Sequence, residues 1–216
     1  MASLDRRTLL LGATAGLAAT LNGCTQGPPA SHPAPASSTP ETSMRALLVY
    51  FSRPGENYWH GGRKDLEIGN TRIVAEMIAE QTGAQVFRIE AAEAYPHDYE
   101  QTVQRNEQEQ QDDARPKISD ELPDVSGYDT IIIGSPVWNT RAPMIIQTFL
   151  DATDALAGKT IHPFLTYAVG EGSVFADYAT LCPDATVTDG LAIQGENAAD
   201  AHEAVTRWVS AITGSR

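Results

Sequence analysis

Ala46-Leu47-Leu48-Val49-Tyr50-Phe51 is a short unbroken apolar run, followed at once by the turn-forming stretch Ser52-Arg53-Pro54-Gly55-Glu56-Asn57. A strand with one wet face alternates apolar and polar residues, whereas a continuous run is the mark of a strand covered on both faces, as in a parallel sheet. Working outward, Val86 to Ile89, Thr130 to Ile133, Ile161 to Thr166 and Val187 to Ile193 are four more strand candidates. Helical patterns lie between them. Ile73, Val74, Met77 and Ile78 form one stripe of a helix that Asn70 can cap and Gly83 can close. Ala142 to Leu156 repeats the pattern through Met144, Ile145, Phe149 and Leu150, and Ala198 to Ile212 through Ala201, Val205, Trp208, Val209 and Ile212. Alternation of this kind, with right-handed crossovers, predicts an α/β doubly wound sheet of five parallel strands. Asp98 to Asp113 is nearly devoid of apolar residues, so a helix there is expected to be a solvated face, with a docking surface for a basic partner as the alternative.

With 216 residues the chain has material for one compact domain and an appendage. At 42% hydrophobic and 20% charged residues it is neither collagen-like, wholly disordered nor a multi-span membrane protein. Fifteen Lys and Arg against 28 Asp and Glu give a net charge of −13, which repels a phosphate backbone, so nucleic acid is not an expected partner. Two cysteines, Cys24 and Cys182, make neither a disulfide framework nor a zinc cluster. Cys182, next to Pro183, reads as a buried small hydrophobe. The five histidines are scattered without metal-binding spacing, and no G-x-S-x-G elbow or Walker loop is present.

Arg6 and Arg7 precede an uncharged run from Leu9 to Leu21 that is too short to span a bilayer comfortably and ends at Asn22-Gly23-Cys24. Residues 1–23 are therefore expected to be a signal peptide. The arginine pair resembles the twin-arginine export signal, with Asp5 and Leu9 departing from its usual residues. Leu21-Asn22-Gly23-Cys24 resembles a bacterial lipobox, which implies lipidation of Cys24; ordinary cleavage leaving a free thiol is the alternative. Residues 24–43, almost all Pro, Ala, Ser, Thr, Gly and Gln, read as a disordered tether, and residues 44–216 as the folded domain. The expectation is an exported protein on the extracytoplasmic side, touching the membrane only through its lipidated N-terminus.

In an open parallel sheet a ligand sits beyond the carboxyl ends of the strands, where the strand order reverses. Three loops lead there. The first is Ser52 to Asn57, resumed after an insertion by Gly69-Asn70-Thr71 at the start of a helix, where hydroxyl and amide groups and free N–H groups suit a phosphate. The insertion, with Tyr58, Trp59 and His60, could roof a pocket or form a surface flap, and the flap is favoured. The second loop, Gly134 to Pro143, carries Trp138, placed either to cover a flat aromatic ligand or to fold back on the core. The third, Tyr167 to Ser173, is flexible enough to bring backbone near a ring.

YFSRPGEN with the later DLEIGNT, then YDTIIIGSPVWNTRAP, then GKTIHPFLT, resemble the flavodoxin family, in particular members with an interrupted first loop. The resemblance implies a flavodoxin-like three-layer sandwich with a five-stranded parallel sheet of order 2-1-3-4-5, binding flavin mononucleotide (FMN) non-covalently. It implies that Ser52, Arg53, Asn70 and Thr71 hold the phosphate, and that Pro136, Val137, Trp138, Asn139 and Thr140 line the isoalloxazine ring. The third loop departs from the family pattern, with Thr166-Tyr167-Ala168-Val169-Gly170 and no histidine. Tyr167 and Gly170 are its candidate contacts by position. The implied role is electron transfer between redox partners, a protein or a quinone, with no catalytic side chain assigned. An FMN-dependent NAD(P)H:quinone or nitro-compound reductase is the enzymatic alternative, and a flavin-binding lipoprotein without redox turnover the third.

Overall fold

The computed structural model describes residues 44–153 and 156–214. The expectations for residues 1–23 and 24–43, including lipidation of Cys24, lie outside the described residues.

The apolar run forms β1 (Ala46–Phe51), buried along its whole length. The reason for its unbroken hydrophobicity is visible in its neighbours. Leu47, Val49 and Phe51 face a core shared with Ile145, Phe149, Val174 and Tyr178. Leu48 and Tyr50 face a second core shared with Val74, Ile78, Val205 and Val209. Each of these large side chains contributes roughly 1.5–3 kcal/mol by leaving water, so polar residues are unfavourable on either face.

Parallel strands β4 (Gln85–Ile89), β5 (Thr130–Pro136) and β6 (Thr160–Tyr167) complete the centre of the sheet in the order β4-β1-β5-β6. Two short segments pair with β6 at the position expected for the fifth strand. They are β7 (Thr186–Val187) and β8 (Leu191–Gln194). With that position split, the order is 2-1-3-4-5. The single strand expected over Val187 to Ile193 is interrupted because Thr188 donates its N–H to the Ile161 carbonyl and places its hydroxyl 2.7 Å from His162 Nδ1. Gly190 follows, and a Cβ there would collide with the Phe175 ring.

Helices α1 (Asn70–Thr82) and α5 (His202–Thr213) cover one face; α3 (Met144–Asp151) and α4 (Val174–Leu181) cover the other. Three boundaries differ from the sequence reading. Gly69 is the N-cap of α1, so Asn70 is its first helical residue and makes no capping bond; Gly83, at φ 64°, closes it as expected. α3 starts only after Pro143, which lacks the N–H a longer helix would need. Ala198 to Ile212 is not one helix, because a 3₁₀ segment (Gly195–Asp200) precedes α5.

Two further segments differ more. The insertion after β1 is an antiparallel hairpin of β2 (Gly55–Trp59) and β3 (Gly62–Leu66). The polar stretch forms α2 (Tyr99–Gln111), capped by Asp98, whose carboxylate accepts the Gln101 N–H at 2.8 Å. Its face is not wholly solvated, since Thr102, Asn106 and Glu109 are buried. No described helix is long and apolar enough to cross a membrane.

Candidate functional site

At the carboxyl edge of the sheet, where order turns from β1 to β5, the loops enclose a pocket of about 840 Å³ including its open mouth. Its wall contains Ser52, Arg53, Asn70, Thr71, Pro136, Val137, Trp138, Asn139 and Tyr167, nine of the residues expected from sequence. Thr140 and Gly170 do not line it.

One end is built from the first loop and the start of α1. Ser52, buried at the end of β1, accepts the Arg72 N–H at 3.1 Å on its hydroxyl. Gly69 lets the two segments touch, because a Cβ there would strike the Ser52 hydroxyl and lie 2.5 Å from the Arg53 carbonyl. Thr71 and Thr166 share a buried hydrogen bond of 2.7 Å that ties α1 to β6. The first turn of α1 holds no acidic residue, and its amide groups and positive dipole end suit an anion.

Arg53, expected at the phosphate, lies in the pocket wall and is also tied to neighbouring carbonyls. Its guanidinium donates to the carbonyls of Pro96 (2.7 Å), His97 (3.0 Å) and Glu56. Burial pushes its pKa down. The side chain therefore anchors the hairpin to the β4–α2 connection, while its buried Nε has no partner among the described residues.

The other end is the loop after β5. Trp138 and Arg141 exchange backbone hydrogen bonds of 2.8 and 3.1 Å around Asn139 and Thr140, both at positive φ (45° and 69°). A β-branched threonine there is strained. It is held because its carbonyl accepts the Ser173 N–H at 2.7 Å and packs on Gly172, where a Cβ would collide. Thr140 thus fixes the loop from behind. The Trp138 ring sits edge-on to Phe51 (5.5 Å) and Tyr95 (5.0 Å), so the two readings of this residue hold together: one side packs on the core and another lines the pocket. Behind it Tyr95 donates to Glu109 at 2.8 Å, Arg105 pairs with Glu109 at 2.7 Å, and burial raises the Tyr95 pKa.

Four pocket residues come from α2, namely Tyr99, Thr102, Val103 and Asn106. One turn further on, Gln110 donates to the Trp138 carbonyl at 3.1 Å and accepts from Asn139 at 2.9 Å. Sequence reasoning missed this face, although its i, i+3, i+4, i+7 spacing inside the polar stretch was a usable signal. Asn106 is buried and its Oδ1 has no partner. The hairpin also reaches the pocket through Asn57 and Tyr58, which favours the roof over the surface flap. It is held down by Arg63, 3.6 Å over the Tyr99 ring and 2.8 Å from Glu100, and by Glu56, which accepts the Tyr99 N–H at 3.3 Å. Gly195 and Glu196, after β8, complete the wall beside Asn70 and were also missed.

Comparison with known proteins agrees with this fold. A family model described as flavodoxin matches residues 67–212. No curated protein matches the chain. A crystal structure of a protein provisionally described as a flavoprotein, from Bacteroides uniformis ATCC 8492, is 28% identical, with a TM-score of 0.62 over 78% of this chain and 99% of that one. A similar protein from Bacteroides eggerthii DSM 20697 shares the fold at 24% identity and a TM-score of 0.61, over 80% and 99% of the two chains. A Lactobacillus acidophilus NCFM flavoprotein, crystallised in complex with FMN, shares it at 21% identity and a TM-score of 0.56, over 76% and 98%.

Proposed function

Because the chain belongs to the flavodoxin family, we propose that this pocket holds FMN without a covalent bond and that the protein carries electrons between redox partners. The observation that carries the reading is the convergence of Ser52, Asn70 and Thr71 with Pro136 to Asn139 and Tyr167 on one pocket at the switch point of the sheet. Ser52 and the start of α1 would hold the phosphate, and Trp138 with its neighbours would cover the ring. Bound FMN supplies the one- and two-electron redox chemistry. The chain binds, orients and shields it: Gly69 permits the close turn, Gln110 fixes the loop bearing Trp138, and Tyr58 screens the mouth. In the test, the purified domain shows the visible absorption of flavin, or gains it on adding FMN. A preparation that stays colourless and fails to bind FMN overturns the proposal.

A second reading, an NAD(P)H:quinone or nitro-compound reductase on the same fold, draws on the hairpin that brings Asn57 and Tyr58 to the pocket. Fast NADPH oxidation with a quinone by the holoprotein selects this reading over the carrier. The arginine pair and Cys24 support placing the carrier outside the cytoplasmic membrane as a lipid-anchored protein, its partner a redox protein or quinone there. Under that placement, Arg6→Lys with Arg7→Lys leaves holoprotein inside the cell, as cell fractionation would detect; unchanged export argues against it.

A further inference from the structure

Of the residues lining the pocket, Glu196 is the sole carboxylate. Its side chain is only 3% exposed. Oε1 accepts the backbone N–H of His60, at the tip of the hairpin, at 2.9 Å. Oε2 is buried and has no hydrogen-bond partner. The position is fixed from below, because the preceding Gly195 packs so closely on the Asn70 side chain that a Cβ would collide with its amide.

A buried carboxylate oxygen without a donor is unfavourable, and a carboxylate can only accept. A phosphate ester dianion is likewise an acceptor and cannot satisfy it. A hydroxyl can. A flavin nucleotide carries hydroxyls on the chain that joins ring to phosphate, and Glu196 lies in the wall beside Asn70 at the phosphate end. We propose that Glu196 Oε2 accepts a hydrogen bond from a ribityl hydroxyl and so selects flavins that carry a polyol chain. The inference rests on the flavin reading above and goes beyond it by assigning a specificity-determining residue on the last strand's exit.

The test compares Glu196→Met with the unaltered domain, using flavin fluorescence quenching to measure affinity for FMN, for riboflavin, which lacks the phosphate, and for lumiflavin, which lacks the polyol. Methionine keeps the length and removes both acceptors. Riboflavin affinity is expected to fall about 10-fold, as for a hydrogen bond to a charged acceptor, with lumiflavin unchanged. FMN affinity is expected to fall by less, because the same change removes a negative charge near the phosphate. Equal losses for riboflavin and lumiflavin would mean that Glu196 only holds the hairpin, and overturn the proposal. So would a loss with FMN that riboflavin does not share, which moves the donor to the phosphate, or no change at all. A melting temperature within a few degrees of the parent shows that the variant is folded; if it is not, the unaltered domain's own riboflavin-to-lumiflavin affinity ratio is the deciding measurement, and a ratio near one overturns the proposal. If the unaltered domain binds none of the three flavins, the flavin reading itself fails, a result distinct from failure of the assignment to Glu196.

Discussion

Gly69 has an ordinary extended conformation (φ −66°, ψ 145°), so its own backbone does not call for glycine. What calls for it is the Ser52 hydroxyl and the Arg53 carbonyl pressed against its Cα. Gly69→Ala must push back a main-chain carbonyl and displace the first loop from the start of α1. Because the proposed reading puts the phosphate at that junction, the expected result is at least a ~10-fold loss of FMN affinity, the scale of one charge-assisted hydrogen bond, with a smaller loss for riboflavin. Equal losses for the two flavins would remove the phosphate from this end. Trp138→Ala should behave differently, weakening FMN and riboflavin alike by about 1–3 kcal/mol if flavin stacking resembles base stacking on aromatic rings. Unaltered affinities would leave Trp138 with its core contacts to Phe51 and Tyr95 alone. Arg53 makes the contrast sharper. Its guanidinium is engaged by three carbonyls, so Arg53→Met should loosen the hairpin, seen as faster proteolysis near His60-Gly61, while the preference for FMN over riboflavin persists. A collapse of that preference would restore the side chain to the phosphate.

At the scale of elements, β6 carries a titratable group inside the fold. His162 is buried, its Nδ1 lies 2.7 Å from Thr188 Oγ1, and its ring stands edge-on to Trp208 at 6.3 Å. Burial pushes its pKa below the usual imidazole value. In the unfolded chain it takes up a proton near pH 6.5 while the folded form still resists, so the unfolded state binds more protons as pH falls. Stability is fully present above about pH 6.5 and is lost as pH drops toward the lowered folded value. Denaturant midpoints measured at about pH 7 and pH 5 should therefore fall, and His162→Gln should fall less. An identical fall in both would put the acid sensitivity elsewhere.

The same elements show which features were legible. β1 and β5 could be read because burial on both faces forces unbroken apolar runs, and the ligand edge followed from strand order. The break in the fifth strand rests on Phe175 packing against Gly190 and on the His162–Thr188 contact, and its local trace in the sequence is the turn pair Asp189-Gly190. α2 was read as a wet face because its buried side chains are Thr102, Asn106 and Glu109, polar residues that a hydrophobic pattern does not register. Phe51, Ser52 and Trp138 announced themselves by type and position, and so did Arg53 as a pocket residue, but its anchoring of the hairpin through carbonyls far along the chain could not be read.

Across the whole molecule the excess of acid, a net charge of −13, acts on whatever redox couple the pocket holds. Reduction that adds negative charge is opposed by surrounding carboxylates. One at ~10 Å through water costs about 0.4 kcal/mol, so four amount to roughly 1.7 kcal/mol before salt screening. For a one-electron step that is about 70 mV. Screening shortens the reach of these charges from about 30 Å at 0.01 M salt to about 3 Å at 1 M. The midpoint potential of the FMN-loaded domain should therefore rise with salt, by tens of millivolts and at most about 70 mV for four such charges. Potentiometric titration at low and high ionic strength measures this directly. The same field attracts a basic partner, so reduction of a basic electron-transfer protein should slow as salt increases, while reduction of a neutral quinone should not. A potential independent of salt would mean that the carboxylates lie too far from the ring to set it, leaving Trp138 and the pocket amides as the groups that do.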